Sequence, residues 1–368
     1  WCAPAGCSAS AGRRMGWHRG LAARARRRAT PAPSGPSAAT PQAAPARWQP
    51  APASGLTLAV HLGVPAALGL LQFVLPPFHH GMLTRIMLFA TYAAGYNLLL
   101  GYTGLMSLGH ALFFAAGMYG AGLPVYYLGL GPGPAFLLGV AVSLLLAAGI
   151  GALSLRTTGV AFLIVTMLFA QVGYLATLHF NRITLGDQGL VLTGRLAPWQ
   201  VGGWTLVFTA PAVRYNLALA ALTVTLLGSL WLVRSPVGRV LVALREHEER
   251  TRMLGYDPFA YKLLAVVCSG GIAGAAGAAY ALLFSYVGST FASILYSIYP
   301  LLWTLLGGAG TILGPLVGTA FVTYAVDTAS GLTTNYLLVV GVALVLVVMR
   351  APGGIMGGVR ARWWRWLP

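Results

Sequence analysis

Apolar stretches separated by short polar segments run from about residue 56 to residue 350. A helix of about 20 mostly apolar residues crosses the hydrocarbon core of a bilayer. Strict apolar–polar alternation is absent, and helices satisfy their own backbone groups in lipid, so we predict an all-α polytopic membrane protein. The predicted spans are residues 56–75, 82–100, 105–127, 134–155, 158–179, 213–233, 259–285 and 335–350, with a pair at 294–306 and 311–327.

Glycine interrupts two of the predicted membrane segments in a similar way. One contains LGYTG (100–104), and the other contains LGGAG (306–310). Glycine lets helices approach closely and lets a helix break where protein or water satisfies the backbone. Paired interruptions in two halves of a transporter indicate a substrate path, and chance similarity in a glycine-rich chain is an equal alternative. The residues assigned to this path are Gly101, Gly104, Ser107, Gly109, His110, Gly307, Gly308, Gly310 and Gly314.

Polar residues near the first interruption are candidates for function or for packing. We expect Ser107 to cap a helix that starts near Leu108, which places His110 in the first turn. A histidine within a membrane is a candidate functional residue, but we favour a packing histidine that hydrogen bonds to a neighbouring backbone carbonyl. For Asn97 we favour a hydrogen bond between helices over contact with a substrate.

Composition supports a membrane protein and argues against a nucleic-acid partner. The chain of 368 residues is 57% hydrophobic and 8% charged, whereas a soluble domain is about 25% charged. The formal net charge is +17, and arginines lie between and beyond the apolar stretches, as expected where basic loops face the cytoplasm. The three cysteines lack the spacing of a zinc site, and we predict no metal and no cofactor.

The arginines also predict an orientation. Both termini and the loop 234–258 are assigned to the cytoplasm, and the loop 180–212 to the outer side. The pair within 294–327 must then enter the membrane and return to the outer side, as a broken or re-entrant pair. The prediction is about eight spans plus this pair, or about ten spans. The predicted domains are a disordered basic tail at 1–54 (alternatively a transit peptide), a membrane domain at 55–355 and a basic cytoplasmic tail at 356–368.

One polar segment, residues 235–264, carries four of the six acidic residues of the chain. Its pattern predicts a helix over 238–254 with an apolar face and an ionic face. Gly255 is expected to end this helix in the left-handed conformation, and Asp257 with Pro258 to begin the next helix. The ionic face is either simply solvated or a docking surface for a soluble protein.

Three separated stretches read GYTGLMSLGHALFF, GRVLVALREHEERTRMLGYDPFAYKLLAVVCSGGIAGAAGA and LLGGAGTILGPLVGTAF. In this order they resemble the LivM-type permease of bacterial branched-chain amino-acid ABC importers, and the resemblance covers about 80–355. The resemblance implies that residues 239–255 form a coupling segment that docks on an ATPase subunit. The residues assigned to this coupling segment are Arg245, Glu246, Glu249, Arg250, Leu254 and Gly255.

The resemblance also implies a function and partners. A permease of this family moves branched-chain amino acids, or a related small amino acid or amide, into the cytoplasm by alternating access. The chain lacks the P-loop pattern GxxxxGK[ST], so we expect ATP hydrolysis on other subunits and no enzyme activity here. The implied partners are a second, homologous permease subunit in a heterodimer, two ATP-binding subunits, a periplasmic or extracellular substrate-binding protein and the lipid bilayer. The implied location is the bacterial inner membrane, with several spans.

Other kinds of membrane protein stay as alternatives. An ion-coupled secondary transporter usually needs carboxylates within the membrane, whereas Asp187 lies in a loop and Asp327 at the end of a span. A sugar or urea permease of a related ABC importer would share the architecture, but the GYDPFAYK turn and the SLGH segment count against a sugar permease. A membrane enzyme is disfavoured because the residue types that could serve catalysis are scattered.

Overall fold

Proline begins many of the helices, because its fixed φ suits the first turn and its missing N–H leaves no partner unsatisfied there. The computed structural model describes residues 55–196, 199–201, 204–208, 210–351 and 353–362. The helices are α1 (Gly55–Leu71), α2 (Pro77–Asn97), α3 (His110–Leu128), α4 (Pro132–Ser154), α5 (Val160–His179), α6 (Asn181–Thr184), α7 (Pro211–Arg234), α8 (Pro236–Glu246), α9 (Glu248–Met253), α10 (Pro258–Phe284), α11 (Ile294–Gly307), α12 (Gly314–Leu332), α13 (Tyr336–Arg350) and α14 (Gly354–Arg362). Proline lies at the start of α2, α4, α7, α8, α10 and α12.

The helices confirm a mostly helical protein of the polytopic membrane type. Among the described residues, five helices are long and apolar enough to cross a bilayer, namely α3, α4, α5, α7 and α10, and α1 and α11 are shorter apolar helices. Each predicted span overlaps one helix. The number of spans and the side of each terminus stay predictions. The tail predicted at 1–54 lies outside the described residues, as do residues 363–368.

The centre of the helical domain is built from small residues. Helices α3, α4 and α10 pack against one another, and α10 is rich in glycine and alanine. A Cβ on Gly117 or on Gly277 would overlap the backbone of the facing helix. Helix α2 packs beside this centre against α7, α10 and α12. Glycine therefore permits the close helix approach that the sequence pattern predicted.

Contacts between the connecting segments define two ends of the domain. At one end, which we call the charged end, lie residues 98–109, 155–159, 235–257 and 308–313. At the opposite end lie residues 72–76, 180–196 and 285–293. The helices that join these segments run back and forth between the two ends.

The described residues are mostly helical, as predicted, and also contain two short strand pairs that the sequence analysis did not predict. β1 (Leu190–Val191) pairs antiparallel with β4 (Tyr286–Val287), and β2 (Trp199–Val201) pairs antiparallel with β3 (Trp204–Leu206). Strands of two or three residues are too short to give a recognisable period-two pattern in the sequence. The pair β1–β4 ties the loop after α6 to the chain that follows α10.

The helix predicted over 238–254 is in fact two helices. His247 is extended (φ −153°, ψ 95°) and separates α8 from α9. The two predicted end signals are confirmed, since Gly255 has φ +88° and the Asp257 side chain accepts a hydrogen bond from the Phe259 N–H at 3.0 Å. The break separates α8, which buries its apolar face, from the largely exposed α9.

The C-terminal helix α14 was not predicted from the sequence. It crosses the boundary predicted between residues 355 and 356 and packs against α11 and α12, and Met356 is buried. Gly354 has φ +73°, and a Cβ there would overlap the backbone of Gly308. This part of the predicted tail is therefore packed against the helical domain.

Candidate functional site

The two glycine-interrupted segments meet at the charged end. Helix α2 continues as a π-helix, Leu98–Thr103, which ends at Gly104 in the left-handed conformation (φ +75°). Helix α11 ends at Gly307, and residues 308–313 join it to α12 without a helix. Single π-helical turns are frequent at functional sites, so this irregular backbone is a candidate site on its own geometry.

Asn97 holds the two segments together. Its Nδ2 donates a hydrogen bond to the Thr311 carbonyl oxygen at 2.9 Å, and its Oδ1 accepts one from the Gly310 N–H at 2.9 Å. The Asn97 side chain is buried. A helix break inside a membrane domain leaves backbone groups that protein must satisfy, and Asn97 satisfies two of them. We favoured a hydrogen bond between helices for Asn97, and the structure instead shows bonds to the non-helical residues that join α11 to α12.

Close backbone approach explains several glycines of the two segments. A Cβ on Gly101 would overlap the Gly310 nitrogen, and a Cβ on Gly307 would overlap the Gly314 carbonyl group. Gly308 and Gly310 also have φ values of +117° and +78°. At Gly101 and Gly307 a side chain would overlap neighbouring backbone atoms, and at Gly308 and Gly310 the positive φ value disfavours any residue other than glycine.

Arg245 connects the two segments with α8. Its Nη1 donates a hydrogen bond to the Gly101 carbonyl oxygen, and its side chain lies against Gly104. Helix α8 holds the arginine there because the helix buries its apolar face. The resemblance assigned Arg245 to an ATPase contact, which stays a prediction, and the structure shows an exposed residue whose guanidinium group also reaches the glycine-interrupted backbone. We call Asn97, Gly101, Arg245, Gly310 and Thr311 the glycine junction.

Ser107 and His110 have partners that differ from those predicted. The helix begins at His110 rather than near Leu108, and Ser107 Oγ accepts a hydrogen bond from the Gly109 N–H at 3.1 Å. His110 Nε2 lies 2.7 Å from the hydroxyl oxygen of Ser269, which itself donates to a backbone carbonyl. Because that hydroxyl already donates its one proton, Nε2 is the donor to it. The buried His110 therefore packs against a hydroxyl rather than directly against a carbonyl.

The other residues of the predicted coupling segment are exposed at the charged end. They are Glu246, Glu249, Arg250, Leu254 and Gly255. Apolar side chains lie exposed among them, with Met253 79% and Leu254 76% exposed. Exposed apolar side chains rimmed by charge make this segment a candidate surface for binding another protein. We call Glu246, Glu249, Arg250, Met253 and Leu254 the docking surface. Sequence reasoning missed Met253, although an apolar Met-Leu pair directly after a charged run was a usable signal.

A cleft of about 810 Å³ lies beside the docking surface. Its lining includes the basic Arg252 and Lys262 and the acidic Glu248 and Asp257, together with Leu155 and residues 157–159. Lys262 Nζ lies 2.7 Å from the Glu248 carboxylate. Arg245 lines this cleft and also belongs to the glycine junction. One side chain thus links the surface segment α8–α9 to the interrupted membrane helices.

A family model and two named relatives indicate the same family for this chain. A family model described as "Branched-chain amino acid transport system / permease component" matches residues 79–349. Two relatives carry the name "High-affinity branched-chain amino acid transport system permease protein LivM", one from Salmonella typhimurium and one from Escherichia coli. Each is 28% identical to this chain, over 292 and 296 residues respectively, covering 74% of this chain and 68% of the relative. No solved structure matches the chain. The matched residues include the glycine junction and the docking surface.

Proposed function

Since this chain belongs to the family of permease components of branched-chain amino acid transport systems, we propose that it is the transmembrane permease subunit of an ABC importer. It moves branched-chain amino acids, or a related small amino acid or amide, into the cytoplasm by alternating access. The observation that carries this proposal is the family match over 79–349, which spans every helix from α3 to α12. The protein lies in the inner membrane of a bacterium and crosses it several times.

The partners of such a permease follow from what the chain lacks and what it exposes. In this proposal two separate ATP-binding subunits hydrolyse ATP, which agrees with the lack of a P-loop pattern in the sequence given. A second, homologous permease subunit completes the pore, and a substrate-binding protein delivers the amino acid on the outer side. The docking surface supports the ATPase contact, because its exposed apolar and charged side chains lie outside the long apolar helices.

Exchanging the charges of Glu246 and Arg250 is expected to abolish coupling to the ATPase. The double change Glu246→Arg/Arg250→Glu leaves the net charge unchanged and alters only exposed side chains, so membrane orientation and folding should persist. We expect ATPase activity stimulated by the binding protein to fall about tenfold or more, as when a charged contact in an interface is reversed. The measurement uses the chain purified with the products of its genomic neighbours and reconstituted in nanodiscs.

Arg156→Glu serves as the matched control, because Arg156 is exposed at the same end but is not part of the docking surface. Stimulated ATPase activity at the wild-type level in the double variant would contradict the role of the docking surface but not the proposed importer function. Failure of the wild-type chain to co-purify with any ATP-binding subunit would contradict the importer and favour a stand-alone, ion-coupled transporter.

The loop 180–196 at the opposite end is proposed to contact the substrate-binding protein. Val191 is 56% exposed and Ile183 51% exposed, whereas the intervening Leu190 is fully buried. Val191→Asp should therefore alter the surface without disturbing the pairing of β1 with β4. We expect a severalfold higher concentration of binding protein for half-maximal ATPase stimulation and an unchanged basal ATPase rate. An unchanged concentration dependence would count against this contact.

A further inference from the structure

Arg85 is a charged residue within a membrane helix that has no carboxylate partner. It lies eight residues after the start of α2, about 12 Å along the helix axis at 1.5 Å per residue. Its neighbours Thr84 and Ile86 are buried, whereas Arg85 is exposed. All six acidic residues of the chain lie in its described part, and the ion pair found there joins Lys262 to Glu248. An unpaired charge within a membrane segment marks a functional site by default.

The contact that Arg85 does make is with aromatic rings. Its Cζ lies 5.9 Å from the ring centre of Phe284. Phe284 stacks on Tyr280 at 4.6 Å, Tyr280 on Phe89 at 5.5 Å, and Phe89 lies 5.3 Å from Trp303. These four rings form a continuous aromatic column, which begins beside Arg85 and involves α2, α10 and α11.

A cleft of about 530 Å³ at the opposite end opens next to this arginine. Phe284 lines the cleft, and the Arg85 guanidinium group lies over the Phe284 ring. Arg214 lines the same cleft, and no carboxylate is among its lining residues. Arg85 does not itself line the cleft but lies across the Phe284 ring at its edge. A cleft that contains one arginine, borders a second and has no carboxylate among its described lining residues suits a ligand that carries a negative charge.

A purely structural explanation makes a different prediction about Arg85. Arginine and lysine near a helix end both extend their charge to the membrane surface along an apolar stem. Lysine would then replace arginine without loss. Recognition of a carboxylate by the planar guanidinium fork, in contrast, is not reproduced by the point charge of lysine.

We propose that Arg85 binds the α-carboxylate of the amino acid as it enters the path from the opposite end. Phe284, the ring of the aromatic column that lines the cleft, then packs against the aliphatic side chain of the same substrate. This inference rests on the proposed importer function and adds the group that selects amino acids over uncharged solutes such as sugars. Arg85 therefore determines specificity, while the glycine junction at the other end holds the interrupted helices.

The test compares Arg85→Gln and Arg85→Lys in the complete importer, with both permease subunits, the ATP-binding subunits and the binding protein in proteoliposomes. We expect uptake of radiolabelled leucine to fall about tenfold or more in Arg85→Gln, the loss that accompanies a missing hydrogen bond to a charged group. Arg85→Lys should also be impaired. Assembly of the complex and basal ATPase activity should stay at the wild-type level. Arg156→Gln, at the charged end, is the control for loss of one exposed arginine.

A second readout separates binding from structure. Leucine retained by the complex after trapping with vanadate should fall in both Arg85 variants. Uptake at the wild-type level in Arg85→Gln overturns the proposal. Uptake at the wild-type level in Arg85→Lys also overturns it. If Arg85→Gln fails to assemble, the result for Arg85→Lys alone decides the question. Absence of uptake by the wild-type complex of leucine and of the other small amino acids and amides is a separate result, because it contradicts the importer function before any variant is measured.

Discussion

Replacing Asn97 with leucine is expected to produce one of the largest losses of stability in this protein. Leucine has nearly the same size but leaves the Gly310 N–H and the Thr311 carbonyl without their partner. Hydrogen bonds between membrane helices contribute about 0.6–1.7 kcal/mol each, and an unsatisfied buried group costs about 1–3 kcal/mol. We therefore expect a loss of about 1–4 kcal/mol in the free energy of unfolding, together with loss of transport.

Thermal unfolding of the purified protein in detergent measures this effect. Asn216→Leu is the matched control, since Asn216 is exposed on α7 and should tolerate an apolar residue. Asn97→Asp keeps the acceptor for Gly310 and loses the donor to Thr311, so its stability should also fall. If Asn97→Leu and Asn216→Leu unfold alike, the glycine junction does not depend on the asparagine.

The second large effect is expected at the contact between α3 and α10. A Cβ on Gly277 would overlap the Phe114 carbonyl oxygen, which is backbone and has no freedom to rotate away. Overpacking of this kind costs about 1–3 kcal/mol, more than the gain of up to about 1 kcal/mol that alanine brings to a helix interior. Gly277→Ala should therefore unfold at a lower temperature than the wild type.

Gly149→Ala, in contrast to Gly277→Ala, is not expected to lower the stability of the protein. No atom lies within 4 Å of a Cβ at Gly149, which is in the interior of α4. This variant should be as stable as the wild type or more stable by up to about 1 kcal/mol. Equal destabilisation of the two variants would show that glycine is needed for chain flexibility in general rather than for the approach of α3 to α10.

The sequence predicted the helices well because apolar length and proline positions are local signals. It could not predict the break at His247, because the pattern of the charged segment fits one continuous helix and contains no glycine or proline at the position where the backbone is extended. It also missed α14, whose close contact with Gly308 is a property of the folded chain. Local patterns give the elements, whereas long-range contacts decide where some of them stop.

The candidate site shows the same division between pattern and packing. The two glycine-rich segments were identifiable from their motifs, but the direction of the Arg245 side chain toward Gly101 follows from the packing of α8. Arg85 escaped notice because it is a single charge among the 21 residues of α2. An apolar average over a span hides such a residue, although an isolated charge in a membrane helix is itself informative.

The glycine junction also imposes an order on the synthesis of the protein. Asn97 and its partner Thr311 are 214 positions apart, a distance that a ribosome covers in about 10–40 s at about 5–20 residues per second. During that interval α2 is already synthesised, but the Gly310 N–H and the Thr311 carbonyl, which will form hydrogen bonds with the Asn97 amide, are not. Insertion of the early helices therefore precedes closure of the junction, and the Asn97 amide gains its backbone partners only when the second half of the chain arrives.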